Sequence, residues 1–207
     1  MLLDADDCQL ILVDYQTRLM PVIFENERVI ANAVRLARLA QALQVPVWGT
    51  AQMPDKLGET VPAVLAAIEA AGGKTMAKSH FSAIAEGLGD HLRPPVRKPT
   101  MGANARSLPK HLQKAAPEAE EGRTTIVIAG CEAHVCLLQT ALDLLEDEFD
   151  VWVVTDACSS RSERNRDAAF DRLAGNGAEL VTTEMVAFEW LGSAEHPAFK
   201  EVLGLIK

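Results

Sequence analysis

The 207-residue chain carries 29 acidic against 20 basic side chains, a formal charge of −9, with 48% apolar and 24% charged residues. That length suits one α/β domain with a real hydrophobic core, and the composition is that of a folded globular protein, not a disordered one. The acidic balance argues against nucleic acid or an anionic membrane as principal partner, since both repel it at long range.

Apolar runs such as Leu10 to Val13 and Ile126 to Ala129 are far shorter than the roughly 20 residues that span a bilayer. The opening Met1-Leu2-Leu3-Asp4-Ala5-Asp6-Asp7 lacks the basic start of a signal peptide. Cys8, Cys131, Cys136 and Cys158 show neither disulfide-framework nor CxxC zinc spacing. A cytoplasmic single domain over residues 1–207, with free thiols and a small-molecule substrate, is expected.

Short apolar strands alternate with longer helical patterns. Gln9 to Tyr15 reads as a first buried strand, because Leu10-Ile11-Leu12-Val13 is continuous instead of alternating. Glu27 to Leu43 follows as a helix with an apolar stripe at Val29/Ile30, Ala33/Val34, Ala37, Ala40 and Leu43. Val45 to Thr50 reads as the second strand, and Pro62 opens a helix that Gly72-Gly73 ends near Ala71. A third strand spans Lys74 to Lys78, and Arg123 to Gly130 contains the strong fourth.

A helix from His134 to Glu148 precedes a fifth strand, Phe149 to Thr155. Ser160-Arg161-Ser162-Glu163 has capping-box spacing and opens a helix to Asn176. Ala178 to Thr183 gives a sixth strand, and the tail reads as helical over Glu184 to Leu191 and Pro197 to Ile206. This rhythm of βαβ units predicts a doubly wound three-layer α/β/α sandwich on a six-stranded parallel sheet. One segment breaks it. Arg93 to Gly122 is rich in proline (Pro94, Pro95, Pro99, Pro109, Pro117) and reads either as a surface excursion or as a lid or subunit contact.

In open α/β sheets ligands bind beyond the carboxyl ends of the strands, near the switch in strand order. Three complementary groups fall at such ends. Asp14 directly follows four apolar residues, a depth at which a carboxylate needs partners; it reads as a general base. Lys78 closes the third strand and would compensate that carboxylate.

Cys136, within Gly130-Cys131-Glu132-Ala133-His134-Val135-Cys136, falls in the first turn of the following helix. There the helix dipole is expected to lower its pKa and favour a thiolate nucleophile. Cys131, at the strand end, reads as structural. His134, two residues before Cys136, would point elsewhere, toward substrate or a core hydrogen bond. The remaining histidines form no ligand pair, so neither a metal nor a cofactor is expected.

At these residues the sequence resembles the isochorismatase-like cysteine hydrolases, a family that includes nicotinamidases and carbamoyl-amide hydrolases. The matching pieces are Leu12-Val13-Asp14-Tyr15-Gln16, Lys78 with Phe81-Ser82-Ala83, and Gly130 through Cys136. From Gly130 onward, with Ser159-Ser160-Arg161-Ser162 and Thr182-Thr183-Glu184-Met185, the chain most resembles the isochorismatase domain-containing subgroup. The resemblance implies a six-stranded parallel sheet and a triad of Asp14, Lys78 and Cys136. It also implies a non-proline cis peptide near Cys131–Glu132, an oxyanion hole from the Glu132 and Cys136 amides, and a homo-oligomer. Gln16, Phe81, Glu132, His134 and Thr183 are candidates for shaping the substrate pocket, and Phe188 to Leu191 reads equally as a subunit contact or as ordinary packing on the sheet.

Two departures bear on activity. Metal-dependent nicotinamidases carry an Asp-x-His and a further His after strand two, whereas Met53 to Glu59 here contains no histidine. True isochorismatases cleave a vinyl ether and generally lack the nucleophilic cysteine, so Cys136 favours covalent acyl chemistry. The expected activity is metal-independent hydrolysis of a small amide or related C–N bond through a Cys136 thioester. Isochorismatase-type ether hydrolysis with Cys136 a bystander, and a non-catalytic oligomeric scaffold, remain the alternatives.

Overall fold

Strand β1 (Cys8–Val13) is buried along its whole length, as a continuous apolar run requires when strands flank it and helices cover both faces. In the computed structural model, which describes residues 1–93 and 122–207, β1 pairs in parallel with β2 (Val47–Gln52) on one side. On its other side it pairs with β4 (Thr125–Gly130), also fully buried. Outside these lie β3 (Lys74–Lys78) beyond β2, then β5 (Asp150–Val154) and β6 (Glu179–Val181) beyond β4. The order is β3-β2-β1-β4-β5-β6, all parallel. The expected doubly wound sheet is the observed one, with the switch point between β1 and β4.

Right-handed crossovers place the helices of the two halves on opposite faces. Helix α1 (Asn26–Ala42) buries Val29, Ala33, Leu36, Ala37 and Ala40, a stripe at helical period. After the single turn α2 (Pro54–Leu57), α3 (Pro62–Ala70) starts with proline in its first turn, where no N–H is required. The short α4 (Gly89–Leu92) precedes β4, and α5 (Leu138–Glu146) and α6 (Glu163–Gly175) pack against each other. Finally α7 (Thr183–Leu191) and α8 (Phe199–Ile206) return to contact α1.

Two expectations are corrected. The helix expected from His134 begins as a π-turn over Ala133–Leu137 and only then becomes α5; such wide turns re-aim side chains and recur at functional sites. The cap of α6 is Ser162, whose hydroxyl accepts the Asn165 N–H, and not Ser160. Ser160 is fully buried, with its carbonyl accepting Phe24 N–H, so the chain is still extended there. In the segment Phe188 to Leu191, Trp190 and Leu191 are buried in the core and Phe188 is exposed. The proline-rich segment, read as excursion or lid, lies almost wholly outside the described residues.

β4 ends on a residue that admits no side chain. A Cβ at Gly130 would stand 2.3 Å from Val13 O and 2.5 Å from Val13 Cβ, at φ +156°. The central pairing of β1 and β4 cannot yield there without moving both strands. Gly130→Ala is expected to cost about 1–3 kcal/mol, read as a lowered Tm, and to displace the Cys131 segment that follows.

Candidate active site

Asp14 leaves β1 in the left-handed region, φ +53°, which Asp tolerates better than most residues. Its N–H donates to Thr50 O at 3.1 Å and its carbonyl accepts Gln16 N–H at 2.9 Å, so the turn is held from both sides. The side chain is fully buried. Oδ1 accepts the Thr50 hydroxyl at 2.7 Å, and Oδ2 meets Lys78 Nζ at 2.7 Å. Lys78 ends β3, two strands away, and its long side chain reaches across β2 to make that pair. Its ammonium also donates to Gln52 Oε1 at 2.7 Å, Phe81 O at 3.0 Å and His80 O at 3.3 Å. A buried ion pair is tolerable only when its members find further hydrogen bonds, as Lys78 Nζ and Asp14 Oδ1 do.

Thr50 and Gln52 were not singled out from the sequence. They sit two apart on β2, hence on one face, and β2 lies between the strands that end in Asp14 and Lys78. Once the strand order is known, polar residues at that end of a buried strand are where the pair needs partners. Gln52 also donates to Ser79 O at 2.7 Å, continuing the network into the next turn.

That turn is latched by Glu86. One carboxylate oxygen accepts Ser79 N–H (2.9 Å), His80 N–H (3.0 Å), the Ser79 hydroxyl (3.1 Å) and a contact from His80 Nδ1 (2.8 Å). The latch aims the His80 and Phe81 carbonyls at Lys78. These bonds, the His80 N–H foremost, hold the Glu86 carboxyl down at about 2, below its ordinary 4.5. A depressed acid stabilises the fold above its unfolded value and loses that contribution as pH falls through the folded one. Slow exchange of the Ser79 and His80 amides is therefore expected to persist below pH 4.5 and to fail only toward about 2. In Glu86→Gln the same amides exchange faster wherever the wild-type carboxylate is ionised, above about 2, as hydrogen exchange read by NMR will check.

Cys136 is 6% exposed, in the π-turn after β4. Its thiol lies close enough to Asp14 and Lys78 for each to move its titration, so the three predicted groups do converge. The expected low pKa is not found. Burial first, and then the Asp14 carboxylate, push the thiol up to about 12, and Lys78 offsets only part of this. Desolvation outweighs the helix dipole. The resting group is a thiol beside a carboxylate, which makes a base necessary. Cys131 is fully buried, its thiol likewise pushed up by burial, in a structural position.

The Cys131–Glu132 peptide is cis, as the resemblance implied. Glu132 is nearly buried, and one carboxylate oxygen takes both the backbone N–H (3.0 Å) and Nε (2.9 Å) of Arg161. His134 turns away from Cys136: Nδ1 lies 2.9 Å from the Ser160 hydroxyl and Nε2 3.3 Å from Asn165 Nδ2. It ties the π-turn to the start of α6, the hydrogen-bonding role of the two expected for it.

Two other pocket candidates bond to the protein itself. Gln16 is fully buried and spends its amide on Gln52 N–H, Gln52 O and Gly58 O, clamping β1 to the end of β2. Thr183 caps Asp156 with its N–H and hydroxyl at the end of β6, with β4 and β5 between it and Asp14. Phe81 is half exposed beside Lys78, where a substrate can meet it.

The isochorismatase domain profile matches residues 8–185. The chain belongs to the isochorismatase family. It is 34% identical to mouse isochorismatase domain-containing protein 2B over 198 residues, which cover 96% of this chain and 80% of that one. Among solved structures it resembles the MAR1 ribonuclease of Caenorhabditis elegans at 30% identity and TM-score 0.82, covering 100% of this chain and 92% of that one. It also shares the fold of Escherichia coli YcaC, an octameric hydrolase of unknown specificity, at 23% identity and TM-score 0.74, covering 99% and 95%.

In this isochorismatase-family chain the reactive groups do not line the larger hollows. A cavity of about 630 Å³ lies at the amino ends of the strands, bordered by Leu3, Asp4, Leu43, Glu189, Trp190 and His196. Volume alone would misplace the site. Among the described residues, no three His, Cys, Asp or Glu side chains converge as a metal centre requires, and no helix is long and apolar enough to cross a membrane.

Proposed function

We propose that this isochorismatase-family hydrolase cleaves a small amide or related C–N bond through a thioester on Cys136. The observation that carries the reading is the convergence of a fully buried Asp14–Lys78 pair with a protonated Cys136 at the switch point of the sheet. Among the described residues Asp14 Oδ2 has no hydrogen bond besides its ion-pair contact, which leaves it an acceptor for the thiol proton.

Asp14 takes that proton, and the thiolate attacks the substrate carbonyl carbon. The resulting oxyanion is held by the backbone N–H groups of Glu132 and Cys136. Among the described residues the Glu132 N–H has no acceptor, which suits this role. Asp14 then gives its proton to the departing nitrogen as the C–N bond breaks. Water, deprotonated by the same carboxylate, attacks the thioester, releasing the acid and restoring the thiol. Lys78 keeps Asp14 in place and compensates its charge throughout.

The ribonuclease name of the C. elegans relative is not carried over, because a chain of charge −9 repels a polyphosphate backbone. The test is to incubate the protein with a panel of small primary amides and analyse the Cys136 peptide by mass spectrometry. An acyl adduct on Cys136, absent in Asp14→Asn, is the expected result; turnover without any adduct overturns the covalent route.

A further inference from the structure

Lys78 and Cys136 reach the site from opposite halves of the sheet. Lys78 ends β3, Cys136 follows β4, and β2 and β1 lie between them. Above the sheet, the ammonium of Lys78 is held by the loop 79–88, through the His80 and Phe81 carbonyls. Cys136 is held by the π-turn that runs on into α5. These two pieces are joined directly. The Ser82 hydroxyl donates to Asp143 Oδ2, and the Ala83 N–H donates to Thr140 Oγ1 at 3.0 Å.

Both joints are buried and aimed. Ser82 is 6% exposed, and Ala83 and Thr140 are fully buried. The Ser82 hydroxyl also accepts the Ile84 N–H at 3.2 Å, which orients it. Thr140 and Asp143 are three apart on α5 and share a face, and Thr140 stands about one turn beyond Cys136. Ser82 and Ala83 directly follow Phe81, whose carbonyl accepts Lys78 Nζ. The Glu86 latch stiffens the same loop from within. Among the described residues, the hydrogen bonds from that loop to α5 are those of Ser82 and Ala83.

We infer that Asp143 is a positioning residue: through Ser82 it fastens the Lys78 loop to the helix that continues from Cys136, and so sets where the thiol stands against the Asp14–Lys78 pair. A hydroxyl bound to a carboxylate is stronger than a neutral hydrogen bond, which suits a joint between two halves of a site. Catalysis is sensitive to that placement, since a displacement of about 1 Å costs about 10²-fold in rate. A purely structural Asp143 would change stability and would have no selective effect at Cys136.

This rests on the amide-hydrolase reading, and alkylation, which requires no turnover, separates the two. Labelling by iodoacetamide is followed peptide by peptide in the wild type, Asp143→Ala, Asp143→Asn and Ser82→Ala, with Cys8, Cys131 and Cys158 as internal controls. In the wild type, burial above all holds the Cys136 thiol up at about 12. Asp143→Ala loosens the loop and admits water. Labelling of Cys136 at neutral pH is then expected to rise at least about tenfold, the gain in thiolate when its pKa falls by one, while the other three cysteines keep their wild-type rates. Asp143→Asn retains an acceptor oxygen for Ser82 and recovers most of the difference. The double variant Ser82→Ala/Asp143→Ala goes no further than either single variant, because both remove one bond. Equal acceleration of all four cysteines, additive effects in the double variant, or a wild-type rate in Asp143→Ala overturns the inference.

On an amide that the wild type cleaves, Asp143→Ala is expected to lower kcat about 10²-fold with KM nearly unchanged, and Asp143→Asn to restore most of kcat. An unchanged kcat in Asp143→Ala overturns the inference and leaves the hydrolase reading standing. If no amide is cleaved, the hydrolase reading alone falls, and selective labelling of Cys136 still supports the joint.

Discussion

Cys136→Ala is expected to lower hydrolysis of the proposed amide substrate by at least about 10⁴-fold, the scale on which removal of a covalent nucleophile acts, while its Tm stays close to that of the wild type. The thiol is a small buried group, so its removal leaves the Asp14–Lys78 pair and its partners Thr50, Gln52, His80 and Phe81 in place. Turnover that survives the substitution would point to hydrolysis by Asp14 and Lys78 without covalent chemistry, as in ether cleavage.

The pH dependence of Cys136 alkylation belongs to the same experiment. With the thiol pushed up from 9.0 to about 12 by burial and by Asp14, reaction with iodoacetamide is expected to keep rising above pH 9. No thiolate plateau appears near neutrality. The fold favours the protonated form, so this contribution to stability is complete below about 9 and is lost as pH rises through about 12. In Asp14→Asn the repelling charge is gone and the alkylation curve moves to lower pH.

Lys78→Met has the second large effect, and it falls on stability as well as on activity. Both side chains of the ion pair are fully buried, so the variant leaves the Asp14 carboxylate without its counter-charge in a medium that solvates it poorly. The expected cost is about 3–5 kcal/mol, a fall in Tm on the order of 10 °C for a domain of this size. The double variant Asp14→Asn/Lys78→Met regains most of that stability, because no unpaired charge remains, yet it stays inactive. Equal stability of Lys78→Met and the wild type in thermal unfolding would show that the charge is compensated elsewhere.

Much of this protein is determined by local patterns in its sequence. Continuous apolar runs at Leu10 to Val13 and Ile126 to Ala129 must be covered on both faces, and strands recurring between helices of ordinary length must be parallel. These constraints led to the doubly wound sheet without any knowledge of strand order. Asp14, Lys78 and Cys136 were legible for a related reason: reactive side chains that end buried strands fall at the carboxyl edge of such a sheet.

What local pattern does not carry is which strand lies beside which, and how a side chain is spent once it is buried. Thr50 and Gln52 became part of the site only because β2 separates β1 from β3. Gln16 and Thr183 left it because their hydrogen bonds go to Gly58, Gln52 and Asp156. Nothing local to Glu132 shows that the β5–α6 loop brings Arg161 onto it. The Cys136 pKa turned on the same principle: the helix dipole is a property of nearby sequence, whereas burial is set by the packed fold and the Asp14 charge lies more than a hundred positions away. Tertiary packing decided the sign because burial acts on the whole charge, and a dipole at the edge of a turn acts on a fraction of it.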